Sequence, residues 1–318
     1  MKPSFEYFAE FVSNYFTLGA EHNDYSVPET MWNSKVEVKD VDKLQEKYVG
    51  LVITPKDRNV GVSINLSNIY SNIEKIENWK DWNNIFKEIK EIYNRGYEQM
   101  GAIDAMGNKA MNWNYVKEHL FVWLVPAYQN ATILSNCPHF KAFDLALVYR
   151  IDLGVDENDQ VANVLVTYDL MEHWGATKET LHEVALKSAS KIRPATFMSI
   201  NEVMYKMTGD PSFLLPDMDL PMRVASVEGG QYGAAVIFYD NFLKQIANKW
   251  DSNLIILPSS IHECLILPDD GDMELKIFED MVEEVNIKEV EPEDKLSDNV
   301  YYYDRNTNCF SEAKGHLK

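Results

Sequence analysis

Cysteine, basic side chains and long apolar runs are all scarce in this chain, and each shortage removes a class of protein. Three cysteines, Cys137, Cys264 and Cys309, are spread over 318 residues. They are odd in number, far apart and without C-x-x-C spacing, which argues against both a disulfide framework and a structural zinc site. Lys and Arg total 30 against 50 acids, leaving a formal net charge of -20 and a pI of about 4.7. Such a surface has few cations to replace the counterions of a nucleic-acid backbone, so no direct nucleic-acid contact is expected and a basic protein is the natural partner. The longest strongly apolar run, "LFVWLV" at 120–125, is too short to span a bilayer, so no membrane segment is expected. Glu6 and Glu10 interrupt the apolar pattern of "MKPSFEYFAEFVSNYF", which reads as an amphipathic helix rather than a signal peptide. A cytoplasmic protein with reduced thiols follows. Nothing in the sequence sets an oligomeric state.

Motifs for cofactor or metal chemistry are missing as well. "HEVAL" and "HECLI" both fail H-E-x-x-H at the fifth place, and the remaining histidines, at 22, 119, 139, 173 and 316, are scattered. His173 and His182 fall on consecutive predicted helices, where chance is the plainer account of their closeness. "NCPHF" at 136–140 reads as a turn entering a strand, because of Pro138. The one glycine cluster, "EGGQYG" at 228–233, precedes the strand-like "AAVIFY" instead of opening a helix. It reads as a hairpin turn, with Gly229 and Gly230 at positive φ, and not as a phosphate loop. No cofactor and no metal are expected.

What is present is enough apolar surface, 46% of residues with 12% aromatics, to bury a real core. Phe5, Phe8, Phe11, Val12, Tyr15 and Phe16 recur at helical spacing. Leu51 and Ile53, then Val60, Val62 and Ile64, alternate on either side of "PKDRN" as a hairpin, and Trp82 to Tyr93 form a second helix that Gly96 bends or ends. Strands are predicted near 120–126, 143–152 and 161–168, followed by helices with Asp169 and Glu172 as a capping box, Gly175 as a stop and Thr177 as a cap. "GAAVIFYDNFLKQIANKW" repeats strand then helix, with Asp240 as the cap. "LIIL", "CLIL" and the helix around 273–285 make a third pass, and Tyr301 to Tyr303 a short final strand. The prediction is an α+β fold: an antiparallel or mixed sheet of repeated β-β-α units with packed helices, plus an N-terminal helix-hairpin-helix region. The expected division is 1–110 and 111–318, with one compact unit as the alternative.

Two stretches carry candidate function. Between Pro268 and Asp304 stand fourteen acids and three lysines, more than half of the net charge. "LPSSIHECLILP" at 257–268 sets Ser259, Ser260, His262 and Glu263 between apolar runs, with Pro258 and the serines as a turn. Alternation would place His262 and Cys264 on one strand face, where a thiolate-imidazolium pair is sterically feasible. Flanking Leu265, Ile266 and Leu267 suit an inert buried thiol better, and no nucleophile-elbow glycines surround the serines.

"DLALVYRID", "VLVTYDLMEHWGATKETLHEVAL", "RPATFMSINEVMYKM", "GAAVIFYDNFLKQIANKWDSNLIILPSSIHECLILPDDGD" and "LSDNVYYYDR" together resemble an uncharacterised domain-of-unknown-function family from Clostridia-type Gram-positive anaerobes, often found near mobile elements. The resemblance is strongest over 143–304. It implies one fold across the C-terminal half and makes "SSIHE" a family hallmark, and it supplies no catalytic residue. It also implies an aliphatic residue where this chain has Cys264, which speaks for packing there. The expected function is that of a non-enzymatic, acidic, cytoplasmic interaction protein, an accessory of a mobile element. The alternative is a hydrolase with His262 as base, assisted by Glu263, Ser259 or Ser260.

Overall fold

The computed structural model describes the chain except residues 57, 59–60, 156–160, 215–220, 259, 272–273 and 318, and the side chains of 99, 101–107, 155, 161–162 and 214. The chain forms two compact units, Met1–Gly107 and Asn108–Lys318. Both are α+β, and all the named strands pair antiparallel.

In the first unit, α1 (Phe5–Glu21) starts at Ser4, whose hydroxyl accepts the Tyr7 N–H. Its apolar stripe buries Phe8, Val12 and Phe16 against β1 (Lys35–Lys43), β2 (Glu46–Thr54) and β3 (Val62–Asn65). β2 and β3 are the expected hairpin, with Ile53 opposite Val62 and Leu51 opposite Ile64, while Val60 lies outside the described residues. β1 precedes them and pairs with β2 along its whole length, so a three-stranded meander replaces the expected single hairpin. The run "KVEVKDVDK" hid β1, because its valines alternate with charges and most of the strand faces solvent. After α2 (Leu66–Ser71) comes α3 (Trp79–Met111), which passes straight through Gly96. A Cβ there would sit 2.6 Å from Val62 Cγ1. Gly96 therefore allows close packing against β3 and does not end the helix.

The second unit contains two sheets. Helix α4 (Trp113–His119) leads into β4 (Leu120–Pro126); α5 (Ala131–Leu134), β5 (His139–Ala142), β6 (Leu145–Val155) and β7 (Val161–Leu165) follow. β6 is the spine of this sheet, with β4 on one edge and β5 and β7 sharing the other. Helices α6 (Tyr168–His173) and α7 (Lys178–Ile192) come next, capped by Thr167 and Thr177. Thr167, and not Asp169, caps α6, since its hydroxyl accepts the Leu170 N–H. Helix α7 packs on β4 and α4.

The second sheet runs β13 (Cys309–Glu312), β12 (Tyr301–Asp304), β10 (Leu254–Leu257), β11 (Cys264–Pro268), β9 (Arg223–Val227), β8 (Ala195–Ser199). Helices α8 (Ile200–Thr208), α9 (Phe242–Trp250) and α10 (Leu275–Lys288) accompany it. Phe278 and Val282 of α10 pack on Ile255, Leu257 and Tyr302 of this sheet; Met273, expected on this helix, lies outside the described residues. Three expectations change here. Residues Ala234–Phe238 form a 3-10 helix and not a strand, so the β-β-α unit does not recur three times. The cap of α9 is Asn241 in the left-handed region, not Asp240. Tyr301–Asp304 is followed by a further strand, β13.

Candidate functional site

The segment that drew notice in the sequence is a loop between two paired strands. Leu257 of β10 faces Leu265 of β11, and 261–263 lie outside either strand, so the alternation that would align His262 with Cys264 does not extend to the histidine. Ser259 lies outside the described residues. Ser260 is buried; its hydroxyl donates to Glu263 Oε1 at 3.2 Å and accepts the His262 N–H at 3.0 Å. Cys264 is fully buried, its sulfur 3.8 Å from the Ala234 carbonyl, and burial pushes the thiol far above its ordinary range. That is a packing thiol, in an environment that suppresses the thiolate.

His262 is engaged on every side. Nδ1 accepts the Tyr232 backbone N–H at 3.0 Å, and Nε2 lies 3.2 Å from Asp294 Oδ1. An accepting Nδ1 puts the proton of the neutral ring on Nε2, pointed at the carboxylate. The His262 carbonyl accepts from Ser226 Oγ at 2.7 Å and from Gly233 N at 2.9 Å. The Ile261 N–H goes to the Asp294 carbonyl at 2.8 Å. Residues 260–263 are thus a brace, and what they brace is the "EGGQYG" loop.

That loop leaves β9 and enters the 3-10 helix, so it is not a hairpin turn between strands. Gly229 and Gly230 have φ of +86° and +74°, and Tyr232 holds +54°, an uncommon conformation for a bulky side chain. At Gly233 a Cβ would meet Ser226 Oγ at 2.3 Å, Val227 N at 2.6 Å and the His262 carbonyl at 2.7 Å, so only glycine fits. The Tyr232 ring stacks on Trp123 with centroids 3.7 Å apart, and the Arg150 guanidinium lies 3.9 Å from the same indole. Two groups that close to one ring must cover opposite faces.

Sheet geometry explains the rest. Alternation along β4 turns Phe121 and Trp123 to one side, and Phe121 pairs in register with Arg150 on β6. Arg150 Nε donates to Asn163 Oδ1 on β7. Burial lowers its pKa to about 10. Arg193, the residue that ends α7, places its guanidinium 4.8 Å from the Phe121 ring and donates to the Gln231 carbonyl at 2.6 Å. Burial lowers its pKa too, offset by Tyr239, Asp152 and Tyr232. Trp123 Nε1 is buried with no hydrogen-bond partner.

Trp123, Arg150 and Arg193 were not singled out from the sequence. Trp123 sat inside an apolar run that reads as core. A signal did exist for Arg150: an arginine within the apolar strand "LALVYRIDL" has to find compensation somewhere. Of the other histidines, His182 pairs with Tyr149 OH at 2.9 Å and stacks on Phe140, while His139 bonds the Cys137 carbonyl at 3.0 Å. Among the described residues, no three His, Cys, Asp or Glu side chains are grouped to hold a metal ion. No helix among them is long and apolar enough to cross a membrane.

The model of a family of unknown function, DUF5688, matches residues 7–305. No curated protein and no solved structure matches the chain.

Proposed function

We propose that this chain, which belongs to the DUF5688 family of unknown function, is a non-catalytic cytoplasmic interaction protein that holds a basic partner against the acidic face of α10. The observation that carries this reading is an outward row on that helix, Ile277, Asp280, Glu284 and Ile287, opposite the stripe that packs on the sheet. Ile277 is 49% exposed and Ile287 72%, apolar ends to an acidic strip. Lys276 and Lys288 bond Asp280 and Glu284 at 2.6 Å, yet Glu283 on the helix and Glu289, Glu291 and Glu293 just after it are exposed. Charge of one sign with two exposed isoleucines suits a basic amphipathic helix: steering by charge, grip by apolar contact. An accessory role beside a mobile element belongs to the same reading and rests on the family resemblance.

The hydrolase alternative has less support. His262 has both ring nitrogens engaged, and Ser260 is buried against Glu263.

The test is fluorescence anisotropy with a labelled peptide bearing Lys and Arg on one face and Leu on the other. Binding should weaken about tenfold or more as salt rises through the range where the screening length falls below about 10 Å. It should weaken again in the Ile277→Ser, Ile287→Ser double variant. Affinity that ignores salt, or that the double variant leaves intact, refutes the α10 reading.

A further inference from the structure

We propose that Arg150 and Arg193, with the loop carrying Tyr232, form a binding site for an oxyanion, the phosphate or carboxylate group of a ligand. The site is independent of the α10 surface. In a chain with twenty more acids than bases, these two partly buried guanidinium groups have no carboxylate within ion-pair distance among the described residues. Arg150 uses Nε on Asn163, and Arg193 uses one terminal nitrogen on the Gln231 carbonyl. The other terminal N–H groups of both have no acceptor among the described residues. Asp152 is close enough to influence Arg193, but its Oδ1 accepts the Gly154 N–H at 2.7 Å. A partly buried guanidinium without a carboxylate is an unfilled half of a bidentate pair, and the planar fork matches an oxyanion's two oxygens.

Three further features show that the place is built. The indole of Trp123 is sandwiched between Tyr232 and Arg150, which holds the guanidinium in place before any ligand arrives. Its Nε1–H is a buried donor without an acceptor in the same cluster. Tyr232 is held at positive φ by the His262 and Gly233 contacts, a conformation that persists only where surroundings enforce it. Arg193 precedes β8 and Tyr232 follows β9, so the antiparallel pairing of Ala195 with Val227 brings both to one end of these strands, joined through Gln231.

Titration calorimetry on the full chain, with inorganic phosphate in one series and acetate in the other, tests the site. Saturable binding of phosphate is expected for a phosphoryl ligand, and of acetate instead for a carboxylate ligand. In either case Arg150→Gln and Arg193→Gln should each weaken binding about tenfold or more, the loss typical of a charge-assisted hydrogen bond. The bound anion should also raise the melting temperature of the unmodified chain. Lys187→Gln serves as the control. Lys187 lies with Lys117 and Lys191 on a separate basic groove of about 460 Å³ between α4 and α7, and its loss should change nothing. Absence of saturable binding in both series overturns the proposal. So does binding unchanged in both arginine variants, or binding lost only with Lys187→Gln. Circular dichroism identifies any variant that has lost its fold; the melting-temperature response of the unmodified chain then decides.

Discussion

Gly233 carries a constraint unrelated to turn chemistry. Its φ is -89°, open to any residue, yet a methyl group there would press on Ser226 Oγ, Val227 N and the His262 carbonyl, and two of those are backbone. Gly233→Ala should therefore destabilise by about 1–3 kcal/mol, the usual range for overpacking, read as a shift of the urea midpoint at constant slope. The thiols make a second residue-level case. Burial raises Cys137 to about 11 and Cys264 further still, while Cys309 is exposed. With an aromatic disulfide reagent at pH 8, Cys309 alone should react promptly, and the other two only after unfolding. Fast reaction of Cys264 would contradict its packing role. Cys264→Val should alter stability by less than about 1.5 kcal/mol, as volume-conserving exchanges do.

Helix termini were legible where the capping chemistry is local. Thr177 and Gly175 act as their residue types suggest, whereas the reciprocal capping box is Ser199 with Glu202 at the start of α8, a pair not singled out from the sequence, and not the expected Asp169 with Glu172. The Ser199 backbone and side-chain hydrogen bonds hold Glu202 below the ordinary carboxylate range. A lowered folded value means that the cap contributes above the unfolded value and is lost as pH falls through the folded one. Ser199→Ala should cost about 1 kcal/mol near neutral pH, and less in acid, by denaturation at a series of pH values. The cost is small because Glu202 is well exposed and screened. Gly96 in α3 tests packing against propensity. Alanine should favour an open helix by about 1 kcal/mol. Here the Val62 methyl at 2.6 Å reverses the sign, so Gly96→Ala should destabilise, and a double-mutant cycle with Val62→Ala should show coupling. Elements without a local signature were missed. β1 is solvent-facing on most positions, and β8 and β9 are short and half-buried; the apolar run at 234–238 reads equally as a strand or a buried turn of helix.

For the molecule as a whole, a net charge of -20 repels itself when the chain is compact. Added neutral salt should raise the melting temperature by a few degrees as the screening length shortens, a trend scanning fluorimetry can follow. A melting temperature that falls with salt would mean that attractive pairs such as Lys276–Asp280 dominate instead. Composition, charge balance, the amphipathic α1, the β10–β11 hairpin and the α+β class are properties of local pattern, and the sequence by itself determined them. Period and capping report which side of an element is buried and where it stops. They do not report what lies on the far side of the contact. His262 meets Tyr232 from thirty residues away, and Trp123 meets Tyr232 from more than a hundred. Those meetings depend on the order and register of two antiparallel sheets, where a shift of one residue turns every side chain to the other face. Tertiary structure alone therefore decided that the histidine is a brace, and that an arginine from an apolar strand and another from a helix end lie over neighbouring aromatic rings of one strand, Trp123 and Phe121.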